Sequence, residues 1–375
     1  MMKQTHVVED RVRCAYLTKE ERVHTFNQVI MHPHLIAATQ ALEEALREPG
    51  SALIIFVCGP AGVGKTTLIN LALQPNMEIE RAPFLSLLAR PPLYGSFSWR
   101  EFLQNGISTL EQPLIGHKNI IENDKEKTQV AHQGETRSGS RPMSRIIDHE
   151  LRISFETTMK RRRPSAVIID DAQHLGRVSG KRQLQNQLDC LKSMAETTGT
   201  PHVLIGTYEL FSLLNVTAQA TWRSDFIHFP RYGITDEELS QFRGALSTFQ
   251  ELLPFEEATA ILLEHWEFCY ERSLGCIGLL HFMLSRAVRA ALWAEETKLS
   301  QRYLERYAIL PVESYALLRE TYNFETELVY TPSCVGLRQM LGMKPQSTFR
   351  QEISRTDPRA RFKVKGRKPI HDQAE

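Results

Sequence analysis

Hydrophobic positions along the chain fall into two regimes. Between about residues 52 and 230, short unbroken apolar runs alternate with longer stretches of helical spacing. Residues 52–57 form the clearest run, and glycines follow at once. Such a run is what a strand buried on both faces of a parallel sheet requires. Residues 83–88, 166–169, 202–205 and 226–229 repeat the pattern, and residues 99–110, 144–159, 183–196 and 208–214 between them read as helices. A helix over residues 35–47 precedes the first strand, with Leu35, Ile36, Leu42, Ala45 and Leu46 on one face and Pro49-Gly50 ending it. Alternating strands and helices predict an α/β sheet with right-handed crossovers.

After residue 230 the period becomes purely helical. Phe255, Ala258, Ile261, Leu262, His265, Trp266, Cys269 and Tyr270 recur at helical spacing. So do Ile277, Leu280, Met283, Leu284, Ala287, Val288 and Ala291. The expected organisation is an extension over residues 1–32, an α/β nucleotide-binding domain over 33–232, an all-helical lid over 233–310, and a C-terminal extension over 311–375. Residues 116–141 are polar and read as a mobile insertion; residues 356–375 are charged, nearly free of apolar side chains, and expected to order only on a partner.

Composition narrows the class. With 375 residues, 42% hydrophobic and 24% charged, the chain can bury two or three cores, and it has no apolar run of the ~20 residues a membrane helix needs. Residues 1–10 lack the basic-then-apolar pattern of a secretory signal, so the cytoplasm is expected, with no membrane role. The six cysteines form no CxxC pair and have no histidine at metal-ligand spacing, which predicts reduced thiols. Net charge is +1, but residues 331–375 hold ten Lys or Arg against four acids, leaving 35 basic and 40 acidic side chains elsewhere. That tail could touch DNA or dock on a protein, and its aromatics, Phe349 and Phe362, are too few for a base-stacking platform.

The chemistry is concentrated in Gly59-Pro60-Ala61-Gly62-Val63-Gly64-Lys65-Thr66, a complete GxxxxGK[ST] loop between a predicted strand and a helix that continues through Thr67. Its glycines let the backbone wrap phosphate oxygens, Lys65 reaches the β and γ phosphates, and the Thr66 hydroxyl can ligate Mg²⁺. Asp170 and Asp171 end the strand over residues 166–169. Asp170 is placed as the second Mg²⁺ partner and Asp171 as the group that polarises an attacking water, although paired acids after a strand also serve as helix N-caps. No [NT]KxD guanine-reading motif and no LSGGQ-like signature is present, which favours ATP and disfavours an ABC-type ATPase.

With the P-loop, Ile168-Ile169-Asp170-Asp171-Ala172-Gln173-His174-Leu175 and Val203-Leu204-Ile205-Gly206-Thr207 in this order, the chain resembles an AAA+ ATPase. It looks most like the TnsC/TniB group of transposition regulators. The phrase continuing through Tyr208, Glu209 and Leu210, the Trp222-Arg223 to Phe229 stretch, and Gly275-Cys276-Ile277-Gly278-Leu279-Leu280 opening a lid helix carry that resemblance, which covers roughly residues 33–308. It implies a P-loop domain with a parallel five-stranded sheet flanked by helices, then a smaller all-helical lid. It further implies Thr207 as the residue sensing γ-phosphate, and Arg223 as an arginine finger reaching a neighbouring subunit, though a solvated arginine at a helix end has the same sequence. Two departures stand out. The family often has Glu where Asp171 stands, which predicts slow turnover, and Leu279 occupies the place of a sensor-2 arginine, with Arg286 and Arg289 further along the same helix.

The resemblance also implies partners: double-stranded DNA, further copies of the chain in a ring or helical filament, a DDE transposase, and a target-selection protein. Candidate phosphate contacts are Arg90, Arg100, Lys118 and Arg145, with Lys125, Lys127, Arg137 and Arg141 in or beside the insertion. Arg161-Arg162-Arg163 reads instead as a cation cluster at a helix C-terminus. The expected function is an ATP-dependent regulator that oligomerises on target DNA and recruits a transposase. Two alternatives stay open: an initiator or helicase-loader ATPase, and a nucleotide-gated scaffold with little hydrolysis.

Overall fold

The computed structural model describes residues 18–47, 53–72, 83–92, 97–111, 141–178, 181–211, 224–257 and 259–329. In chain order the elements are α1 (Lys19–Phe26), α2 (Pro33–Arg47), β1 (Ile54–Cys58), α3 (Lys65–Ala72), β2 (Leu85–Leu88), α4 (Trp99–Glu111), α5 (Arg141–Arg162), β3 (Val167–Asp170), α6 (Lys181–Thr198), β4 (His202–Gly206) and β5 (Ser224–His228). They continue with α7 (Asp236–Glu251), α8 (Ile261–Glu264), α9 (Trp266–Ser273), α10 (Ile277–Trp293), α11 (Gln301–Tyr307) and α12 (Pro311–Val329). Short 3-10 turns follow β3 (Ala172–Gly176) and β4 (Tyr208–Leu210).

Packing divides the chain into two compact units. One, made of Leu42–Cys58 and Leu73–Ile227, carries the sheet. Its strands are ordered β2-β3-β4-β1-β5, with β1, β2, β3 and β4 paired in parallel. Burial follows position in that order. Every residue of β1 and β4 is buried, whereas the edge strands β2 and β5 keep partly or fully exposed positions. An interior strand covered on both faces cannot place a polar side chain without stranding it, so its sequence is a continuous apolar run.

Register fixes which strand ends meet. Ile169 aligns with Leu204, which aligns with Phe56, so Asp170 stands level with Ile205 and Val57 near the carboxyl edge of the sheet. Thr207 leaves β4 at the same edge, and the P-loop begins one residue after β1.

The second unit comprises Met1–Ala41, Gly59–Ala72 and His228–Glu375, so the P-loop and α3 pack with the C-terminal helices. Phe26, Phe242, Leu246, Leu262, Cys269, Leu280, Leu284, Ala287 and Val288 are buried in its core. The seven positions expected to bury one face of α10 all do so. Thr18 and Glu21 form a reciprocal capping box at α1, and Thr235 caps α7 by accepting from the Glu238 N–H.

Several expectations change. Ile36 is exposed, and the buried face of α2 runs through Leu35, Ala38, Ala41, Leu42 and Ala45. The helical reading of residues 255–270 is interrupted. Phe255 is buried but lies outside any helix, and the chain then turns at His265 between α8 and α9. Residues 208–214 do not form the expected helix at their start, where a 3-10 turn covers Tyr208–Leu210; residues 212–223 lie outside the described set. Nearly all of the expected mobile insertion and the whole basic tail also lie outside it. Among the described residues no single helix is long and apolar enough to cross a membrane, and no group of three or more His, Cys, Asp or Glu could hold a metal.

Candidate nucleotide site

The P-loop is shaped by its glycines. Gly62 and Gly64 have φ of 73° and 113°, a region that L side chains rarely adopt. Between them Val63 is buried and its N–H donates to the Pro60 carbonyl. Lys65 Nζ donates to the Gly59 carbonyl at 3.1 Å and the Pro60 carbonyl at 2.8 Å, which holds the ammonium over the mouth of the loop. Thr66 is exposed and Thr67 half-buried at the start of α3, whose first turn carries no acidic residue. The positive end of that helix is therefore left for an anionic ligand.

The loop is tied to α10. The Leu279 N–H donates to the Gly62 carbonyl at 2.9 Å. A Cβ at position 278 would run into that same carbonyl oxygen and crowd the Gly64 N–H, so only glycine lets the two backbones approach. Cys276, at the N-cap of α10, makes no side-chain capping bond. The P-loop carbonyl thus satisfies one of the N–H groups a helix start leaves open. Cys276 is almost fully buried, and burial pushes its thiol up to about 12, with Arg231 and Lys65 opposing. The Cys269 thiol is likewise pushed up to about 12 by burial, so both behave as small apolar core residues. Arg286 lies with its guanidinium over the Phe282 and Tyr307 rings, 5.4 and 5.6 Å from their centroids.

The acidic group lies in the other unit. Asp170 ends β3 half-buried, and one of its carboxylate oxygens accepts the Asp171 N–H at 2.9 Å. Asp171 has left-handed backbone angles, φ 52° and ψ 34°, and caps the 3-10 turn without a side-chain bond to it. Its carboxylate instead accepts from Gln173 Nε2 at 3.1 Å. Thr207 ends β4 half-buried, and its N–H donates to Gln173 Oε1 at 3.3 Å. His174 is held below its ordinary pKa chiefly by burial, with Arg177 adding to the shift and Asp171 and Glu209 opposing it.

Gln173 is the residue of this corner that the sequence did not single out. Its role depends on the alignment of β3 with β4, which leaves no local signal. Of the candidate phosphate contacts, Arg90 is exposed just beyond β2, and Arg100 pairs with Asp148 of α5 at 3.0 Å. Arg145 lies on α5, without a described side chain; Lys118 and Arg223 lie outside the described residues.

The donor set fits a nucleoside triphosphate with a divalent cation. Gly59, Pro60, Ala61, Gly62, Val63 and Gly64 form a backbone loop that leads into α3; the Thr66 hydroxyl there and, in the other unit, the Asp170 carboxylate are each oxygen ligands of the hard kind that Mg²⁺ takes.

Comparison with curated proteins finds no match. Among solved structures, the ORC2 protein of Aeropyrum pernix is similar at 14% identity, with 78% of this chain and 71% of that one covered and a TM-score of 0.48. The Walker-type ATPase of Pyrococcus abyssi is similar at 16% identity, with 77% and 75% covered and a TM-score of 0.40. Drosophila ORC bound to DNA is similar at 15% identity, with 78% and 68% covered and a TM-score of 0.35. Residues 47–214, which hold the P-loop, Asp170, Asp171 and Thr207, match the family model of the AAA domain, and the chain has the AAA+ P-loop fold.

Proposed function

We propose that this chain is an ATP-hydrolysing AAA+ switch that assembles on duplex DNA and carries target information to a transposase. The observation that carries the nucleotide half is the P-loop itself, with its positive-φ glycines, Lys65 folded over the Gly59 and Pro60 carbonyls, and a helix start free of acids. The loop N–H groups and Lys65 bind the β and γ phosphates, and Thr66 and Asp170 hold Mg²⁺. Mg²⁺ supplies neutralisation of charge that develops on the phosphate oxygens. Asp171 orients the attacking water and accepts its proton, and Thr207 monitors the γ-phosphate from the end of β4. Arg223 of a neighbouring subunit completes the charge stabilisation, so turnover depends on assembly.

The DNA and transposase half is supported by sequence alone: the phrase from Val203 to Leu210, the Trp222-Arg223 to Phe229 stretch and the Gly275 to Leu280 helix start. Arg90, Arg100, Lys118 and Arg145 are its phosphate contacts, which would be tolerant of sequence and weakened by salt. The test is assembly on long duplex DNA with ATP, ADP or a non-hydrolysable ATP analogue, followed by electron microscopy and by retention of the transposase. Rings or filaments that need the triphosphate state and retain the transposase are expected. Triphosphate-dependent assembly that ignores the transposase would favour an initiator or helicase loader, and no response to DNA would remove the DNA half.

A further inference from the structure

The Gln173 side-chain amide bridges the ends of two adjacent strands. Nε2 donates to the Asp171 carboxylate at 3.1 Å, and Oε1 accepts the Thr207 N–H at 3.3 Å. Chemistry fixes that orientation, because an ionised carboxylate only accepts and a backbone N–H only donates. Only a neutral group with one donor and one acceptor end serves both partners. The approach is close: a Cβ at Gly206 would run into Gln173 Oε1, so β4 gives up a side chain where the amide crosses it. Asp171 meanwhile holds left-handed backbone angles, a region that few L residues besides Asn and Asp adopt.

We propose that Gln173 is a positioning residue that sets the Asp171 carboxylate against the Thr207 end of β4, so that the water-orienting acid and the phosphate-sensing strand end keep one geometry. The proposal rests on the ATPase reading above. A side chain one C–C bond shorter than Glu has less reach, and an error of about 1 Å in placing a reacting group costs on the order of a hundredfold in rate. The amide removes the freedom that would allow such an error.

The experiment compares wild type, Gln173→Ala and Gln173→Glu for steady-state ATP turnover, equilibrium ATP affinity and thermal unfolding, from pH 6 to pH 8, with Lys65→Ala as the reference for turnover that needs the P-loop. Expected for Gln173→Ala is a fall in kcat of about ten- to a hundredfold with ATP affinity within about twofold of wild type. Gln173→Glu, of the same shape, sets a second carboxylate against Asp171 and loses as much activity at pH 8. As pH falls its carboxyl, raised by the neighbouring charge, takes up a proton and regains the donor and acceptor ends of the amide. Its kcat relative to wild type then rises by about threefold or more at pH 6. Asp170, His174, Arg177 and Glu209 are the other ionisable groups named at this corner and are present in both proteins.

Turnover within twofold of wild type in both variants would overturn the proposal. So would a loss of kcat matched by an equal loss of affinity or of thermal stability. Wild type without turnover above the Lys65→Ala level would instead remove the ATPase reading, and this proposal with it.

Discussion

The Leu279 backbone N–H and the Gly62 carbonyl oxygen are joined by a 2.9 Å hydrogen bond, so the first turn of α10 is capped by the P-loop. In sequence, Leu279 reads as the loss of an arginine that would reach the nucleotide. In the fold, its main chain makes a contact with the loop that no side chain at that position is needed to make.

Gly278→Ala tests that contact. The new methyl group would meet backbone atoms of Gly62 and Gly64 and no flexible side chain, so α10 or the loop must shift. ATP affinity is expected to fall by about tenfold, equivalent to ~1.4 kcal/mol, in a fluorescent-nucleotide titration. Affinity equal to wild type would show that the loop does not need this approach.

Gly244→Ala is the matched control. Gly244 lies inside α7 with open space where a Cβ would stand. Ala is the better helix former, so stability should rise by about 0.5–1 kcal/mol in chemical denaturation, with ATP binding unchanged.

Arg231 holds α12 to the segment after β5. Its Nε and Nη2 donate to the two Glu325 oxygens at 2.9 and 2.8 Å, and Nη1 donates to the Leu274 carbonyl at 3.1 Å. The pair is mostly shielded from solvent, at 15% and 27% exposure. Arg231→Lys keeps the charge but not the fork, and is expected to cost about 1–3 kcal/mol in denaturant unfolding. A loss below about 0.5 kcal/mol would place the pair with ordinary surface bridges.

Buried histidines set the acid limit of the fold. Burial pushes His32 down to about 3 and His202 and His228 down to about 4, with His34 adding to the shift at His32 and His228. All three are neutral in the fold but take up protons near pH 6.5 when unfolded, so the unfolded chain binds more protons below that value. Stability from this source is complete above about pH 6.5 and falls toward pH 4, by up to about 1.4 kcal/mol per pH unit for each histidine. Thermal unfolding should change little between pH 8 and pH 7 and drop steeply between pH 6 and pH 4.5; a flat profile over the lower range would contradict it.

What the sequence made legible follows from how local each signal is. The P-loop is contiguous, and β1, β3 and β4 lie inside the sheet, where burial on both faces forces apolar runs. The helix α10 was legible because its buried face repeats over four turns. Phe255 misled because a single buried aromatic in a loop fits a helical period by chance. Ile36 misled because small residues, Ala38 and Ala41, take the buried face of α2 in place of a larger one. The Gln173 bridge and the Gly62–Leu279 bond depend on segments 34 and 217 residues apart, and their partners include backbone groups that carry no sequence signature.

The most direct test of the account is ATP binding and turnover with Mg²⁺ in wild type, Lys65→Ala and Asp171→Asn, measured in the same samples. Wild type should bind ATP and hydrolyse it slowly, Lys65→Ala should lose both, and Asp171→Asn should bind but not turn over. Nucleotide binding and hydrolysis in Lys65→Ala equal to wild type would contradict the assignment of the P-loop as the site of ATP chemistry.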